Sequence, residues 1–168
     1  MDPSQPFTVT RAKPVDARAI AEFVAEATRG RVSVAPQSVV QRFGAKGLWL
    51  VRDTDSRIMG LAGWRAENLI ARIDDFLVSP IELYDTAGGV LLRSIEEAAQ
   101  ELKCEVSVIF VPLRALPAMV SFYEGSGYSR AEPDTLPRVW QETVEEAAGQ
   151  GRYIMLKRLR EELVTRPI

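Results

Sequence analysis

Residues 69–111 constrain the fold of this chain more than any other stretch. Leu69 to Val78 has the Ile, Ala, Phe, Leu and Val content of a strand. A glycine pair follows in Thr86-Ala87-Gly88-Gly89, after which Leu91, Leu92, Ile95, Ala98, Ala99 and Leu102 recur at helical spacing. Cys104 to Val111 is then a second apolar run, rich in Val, Ile and Phe. Two buried strands joined through a helix are expected to run parallel, because returning in the same direction needs a crossover of about that length. The glycine turn ahead of the helix has little side-chain bulk. Helix-initial amides have no intrahelical partner and, with the helix dipole, favour a phosphate at such a place.

The flanking sequence supplies the rest of an α+β domain. Phe7 to Thr10 alternates like a strand, and Pro14 to Gly30 reads as a helix with Asp16 as N-cap and Gly30 past its end. Pro36 to Phe43 reads as a shorter helix stopped by Gly44. Leu48 to Arg52 and Ile58 to Arg65 flank Asp53-Thr54-Asp55-Ser56, a hairpin-turn composition, so that an antiparallel meander with Leu69 to Val78 is expected. Leu116 to Gly125 is a further helix, and Tyr128 to Ala131 and Tyr153 to Leu156 are two closing strands. Between them Glu132 to Gly151 is an insertion in which Leu136, Trp140, Val144 and Ala148 fall four apart, as on one helix face. We expect one domain over residues 1–168, with the tail Glu161 to Ile168 fraying.

Composition excludes several chemistries. At 168 residues, 46% apolar and 26% charged, the chain can bury one core. The net charge of −2 comes with scattered basic residues, which argues against a nucleic-acid partner. There is no histidine, which removes a Ser-His-Asp triad, a Cys-His dyad and the usual zinc sites. Cys104 is the single cysteine, so an intrachain disulfide is impossible and no thiolate metal cluster is expected. Acid–base chemistry must fall to Asp, Glu, Tyr, Lys, Cys, water or backbone. No stretch approaches the roughly 20 apolar residues of a membrane span, so a cytoplasmic protein with no membrane partner is expected.

Two segments carry a resemblance. One is Ile73-Asp74-Asp75-Phe76-Leu77-Val78-Ser79-Pro80 followed by Ala87-Gly88-Gly89-Val90-Leu91-Leu92, and the other is Phe122-Tyr123-Glu124-Gly125-Ser126-Gly127-Tyr128. With the order of elements, they resemble the GCN5-related N-acetyltransferase (GNAT) superfamily from about Phe7 to Leu159. The first segment departs from the family's pyrophosphate loop. With Gly88 on its last position, Leu83 stands where members have Gln or Arg and Thr86 where they have Gly, and Glu82 and Asp85 add negative charge. Arg114-Ala115-Leu116-Pro117 stands where many members place an Asn.

The resemblance implies a mixed, mostly antiparallel sheet flanked by helices, with acetyl-CoA as co-substrate and no metal. It places the cofactor near Val78 and Ile109, with amides of Phe76, Leu77 and Val78 for the pantetheine and of Thr86, Ala87, Gly88, Gly89 and Val90 for the pyrophosphate. Tyr123, beside the cofactor, would be the general acid, since a phenol and a thiol have ordinary pKa values near about 10 and 8.5. Its plainer role is an amphipathic core tyrosine. Asp74 or Asp75 would be the base, adjacent strand residues pointing to opposite faces; either could instead make structural hydrogen bonds. Trp64 and Arg65 would line the acceptor pocket, or respectively pack the sheet and meet water. Trp140 would cap that pocket, or anchor the inserted helix to the sheet or to a partner subunit. Cys104 reads as a small core residue. The implied activity is N-acetylation of a primary amine of a small molecule or protein, with a homodimer as the usual state. The other reading is a catalytically silent interaction subunit or acyl-CoA sensor.

Overall fold

The expected crossover is present. Strands β4 (Ile70–Val78) and β5 (Val106–Pro112) are parallel, in register from Ile70 opposite Val106 to Ile73 opposite Ile109. Helix α3 (Gly89–Glu101) connects them. The computed structural model describes residues 6–42, 47–148 and 151–160. Among these, β1 (Thr8–Arg11), β2 (Gly47–Arg52), β3 (Ile58–Glu67), β6 (Ser129–Ala131) and β7 (Arg152–Arg158) complete a seven-stranded sheet ordered β1-β2-β3-β4-β5-β7-β6. The pairs β1/β2, β2/β3, β5/β7 and β6/β7 are antiparallel. The flanking helices are α1 (Ala17–Ala27), α2 (Pro36–Arg42), α4 (Pro117–Gly125) and α5 (Arg138–Ala148). No helix among the described residues is long and apolar enough to cross a membrane. By internal contacts the chain divides into two compact units, residues 1–64 with 76–94 and residues 65–75 with 95–168.

In the first unit the periodicity of α1 sets the core. Ala17 and Ile20 pack with Val39 of α2 and with Leu48, Leu50 and Leu61 of the β2–β3 hairpin, and Phe23, Val24 and Leu77 close its edge. The helical run starts at Pro14, in a 3-10 turn over Pro14–Asp16 that the fixed proline φ pre-organises. Asp16 is at the N-cap position of α1, as expected, and also third in this turn, but its side chain makes no cap bond to α1. Its Oδ2 accepts the Lys13 N–H at 2.8 Å, and its Oδ1 meets Arg52 Nη2 at 3.0 Å. At the far end Gly30 takes φ +79° and donates to Ala25 O at 2.7 Å, as the expected stop. The expected stop of α2 at Phe43 and Gly44 lies outside the described residues.

The hairpin turn is held by one carboxylate. Asp53 Oδ1 accepts the N–H groups of Asp55 and Arg57, both at 2.9 Å, and Arg57 Nε reaches Oδ2 at 3.0 Å. The Arg57 amide bond is the main reason that the Asp53 pKa lies below the ordinary value.

Gly60 allows the close packing of β3 and β4. A Cβ there would stand 2.9 Å from Val51 Cγ1, 3.1 Å from the Leu77 carbonyl oxygen and 3.1 Å from Val78 Cγ2. The carbonyl cannot rotate away as a side chain can. Gly60→Ala is therefore expected to lower stability by about 1–3 kcal/mol, read as an earlier urea midpoint with an unchanged slope. An unchanged midpoint would mean that the strands separate at no cost.

In the second unit β5 is buried from Val106 to Val111. On one face Trp140 and Val144 of α5 pack with Ile70, Val106, Val108, Phe110 and Ile154. Around β5 the polar groups form a closed set. Tyr128 Oη donates to Glu96 Oε2 at 2.8 Å and accepts from Ser107 Oγ at 2.8 Å, and Lys157 Nζ reaches Glu96 Oε1 at 3.1 Å. Burial first, then the charge of Glu96, push the Tyr128 phenol well above its ordinary pKa. Cys104 is buried, as expected of a core thiol. The tail from Glu161 lies outside the described residues.

Candidate cofactor and catalytic site

The cofactor residues expected in the first unit belong to a strand end and the helical run after it. Val78 closes β4 and is buried, whereas Phe76 and Leu77 are half-buried. Ser79 N–H bonds to Met59 O of β3 at 3.0 Å. Amides alternate along a strand, so the Val78 N–H points to the edge away from β3. There it donates to Tyr84 Oη at 3.4 Å.

The expected glycine turn is helical. The chain leaves β4 at Ser79 and Pro80, makes a 3-10 turn over Ile81–Leu83 and a π turn over Tyr84–Gly88, and runs straight into α3. Gly89 has φ −61° and ψ −43°, and its N–H bonds to Thr86 O. Gly88 and Gly89 therefore lie one to two turns inside a helical segment, where fewer amides are left unsatisfied than at its start. Ala87, Gly88 and Gly89 are buried, Val90 is half-buried, and Thr86 is exposed with its hydroxyl 3.4 Å from Leu83 O. Glu82 and Asp85 are both exposed, which leaves their charges screened by water. Trp64, at the end of this unit's part of β3, is 6% exposed and edge-on to Trp49 at 5.7 Å between centroids. Its indole N–H is buried and has no hydrogen-bond partner among the described residues.

The second unit holds the other expected residues. Asp74 is engaged: its Oδ1 lies 2.7 Å from Arg72 Nε, with both side chains about nine-tenths buried. Arg72 also stacks over Phe110 at 4.8 Å. Arg152 Nη1 donates to the Asp74 main-chain carbonyl at 2.9 Å. Asp75 is half-buried. Arg65 is exposed and pairs with Glu67 at 3.4 Å, the solvated role. Trp140 is 2% exposed and donates its indole N–H to Asn68 O at 3.1 Å. It anchors α5 on the sheet, packed with Ile70, Val106, Val108, Phe110 and Ile154.

Tyr123 is placed by a helix cap. The N–H of Tyr128 bonds to Tyr123 O, and the N–H of Gly127 bonds to Glu124 O, both at 3.0 Å. With Gly127 at φ +99° this is a Schellman motif, and it gives the glycine of the Phe122–Tyr128 segment its physical reason. The Tyr123 side chain is 2% exposed, its ring 5.5 Å from that of Phe122.

Sequence reasoning missed Tyr84, Arg72 and Arg152. Arg72 had a readable signal, an Arg two residues before an Asp in an apolar strand and so on the same face. Tyr84 had none, because its residues read as a loop.

No family model matches the sequence, and no curated protein does. Solved structures do match. N-acetylglutamate synthase from Neisseria gonorrhoeae, complexed with coenzyme A and N-acetyl-glutamate, superposes with TM-score 0.70 at 16% identity. The match covers 92% of this chain and 35% of that one. A GNAT superfamily phosphinothricin acetyltransferase from Sinorhizobium meliloti, in complex with AcCoA, gives TM-score 0.70 at 16% identity over 98% of this chain and 94% of that chain. The fold is that of the GNAT acetyltransferases. The ribosomal-protein-S18-alanine N-acetyltransferase from Escherichia coli adds a third GNAT-fold match, with TM-score 0.67 at 14% identity over 96% and 99% of the two chains. In this fold the parallel β4/β5 pair stands beside the antiparallel pairs β1/β2, β2/β3, β5/β7 and β6/β7. Among the described residues no group of three or more Cys, Asp or Glu side chains is gathered to hold a metal.

Proposed function

We propose that this chain is an acetyl-CoA-dependent N-acetyltransferase that acts on a primary amine of a small molecule or protein. The observation that carries the reading is the superposition, at TM-score 0.70, on an acetyltransferase whose structure contains acetyl-CoA. The strand edge at Phe76 to Val78 would take the pantetheine amides, and the helical run from Tyr84 to Val90 would face the pyrophosphate. Acetyl-CoA supplies the acetyl group as a thioester.

The chain's own groups would then manage two protons. Amine attack forms the C–N bond and breaks the C–S bond. An ammonium is no nucleophile, so a carboxylate must take its proton. Asp74, which pairs with Arg72, and Asp75 are the two carboxylates for that role. Tyr123 would give its phenolic proton to the departing thiolate and regain, through solvent, the second proton that the nitrogen loses as the amide forms.

A second reading, a silent interaction subunit or acyl-CoA sensor, is favoured by one observation. The amides expected to hold pyrophosphate lie inside a helix, with that of Gly89 already bonded. Isothermal titration with acetyl-CoA tests the enzyme reading, and binding in the micromolar range is expected. No binding at millimolar concentration would sink it, whereas binding without thiol release across an amine panel would support the sensor.

A further inference from the structure

Tyr84 stands where the sequence offers a loop, yet it is 4% exposed. Its ring lies 6.2 Å from that of Phe76, tilted by 43°, and its oxygen takes the Val78 N–H. Three facts make this contact more than packing. First, the Val78 amide faces the edge away from β3, since Ser79 N–H already serves Met59. Second, that N–H is buried with the Tyr84 oxygen as its acceptor, and a buried N–H left without an acceptor is costly. Third, at 3.4 Å the bond is long for an N–H to oxygen contact, and a long bond is readily exchanged for a better one. The π turn that begins at Tyr84 is the kind of helical irregularity that gathers at functional sites. Burial also raises the Tyr84 pKa, so the group stays a neutral phenol.

We infer that Tyr84 is an internal stand-in for the cofactor: its phenol occupies the Val78 strand-edge amide, and an amide of the pantetheine must displace it to bind. This rests on the acetyl-CoA reading above. The resting site is self-satisfied, and binding exchanges one acceptor on Val78 for another. Affinity is then reduced by the fraction of molecules in which Tyr84 holds the amide.

Two measurements on Tyr84→Phe, which keeps the ring and removes the oxygen, separate this inference from the reading beneath it. In the ligand-free protein the Val78 amide should exchange with solvent at least about tenfold faster than in wild type, read by NMR. In calorimetry the variant should bind acetyl-CoA about three- to tenfold more tightly, with Tyr84→Leu as a second variant showing the same direction. Unchanged exchange at Val78 would overturn the internal bond. Faster exchange with equal or weaker binding would overturn the competition while leaving the cofactor reading intact. Absence of binding by all three proteins would overturn the cofactor reading and the exchange with it, even if the amide responds.

Discussion

Tyr123→Phe is expected to lower kcat roughly 10²-fold or more while KM for acetyl-CoA stays within about twofold, because general acid–base groups contribute about 10²–10⁴ to rate. The substitution deletes one oxygen. The ring contact with Phe122 remains, and so does the helix cap, which uses only the Tyr123 main-chain carbonyl. A thermal midpoint close to wild type would accompany the lost turnover, whereas a residue that merely filled the core would keep its turnover as well. The readout is coenzyme A thiol release with whichever amine the wild type accepts. Wild-type turnover from the variant would remove Tyr123 from the chemistry. The expectation that binding survives follows from placing the phenol on the leaving sulfur, which carries charge only as the C–S bond breaks.

The second large effect is structural. Trp140→Ala should destabilise the protein by about 3–5 kcal/mol, the range for removing a large aromatic side chain from a packed core. Trp140 lies in one apolar cluster with Ile70, Val106, Val108, Phe110 and Ile154, and its indole N–H serves Asn68 O. Truncation would leave both a cavity and a carbonyl without its donor. Trp140→Phe refills most of the space but not the hydrogen bond, so it should cost less. Urea denaturation of the two variants measures the difference. A loss below about 1 kcal/mol for the alanine variant would show that α5 contributes little to the core.

These expectations show where the sequence is a good guide. The β4–α3–β5 crossover was legible because runs such as Val108-Ile109-Phe110-Val111 and the spacing of Leu91, Leu92 and Ile95 are set by burial, which composition reports directly. The role of Trp140 on the sheet was legible for the same reason, through its spacing of four to Val144. Asp16 stands at the N-cap position of α1, but a 3-10 turn over Pro14–Asp16 precedes the helix and the carboxylate turns back to the Lys13 N–H instead of capping α1, a local choice that the pattern did not carry. Gly88 and Gly89 were harder. Glycine is permissive rather than directive, so a glycine pair marks where a chain can turn without saying that it does. Here the segment is helical, with Ala87, Leu91 and Leu92 buried along it. That in turn made Tyr84 a buried residue on a helix instead of a side chain on a loop, a fact no local pattern carried.

The cap at the end of α4 separates two properties that usually travel together. Because the N–H of Tyr128 fastens the carbonyl of position 123 and the N–H of Gly127 that of Glu124, the location of residue 123 is specified downstream, by a left-handed backbone and not by its own side chain. Position 123 is thus a fixed mounting point. Different side chains can be carried there in turn without re-siting the main chain, so what stands at this place can be varied while Gly127 remains the residue that determines where it stands.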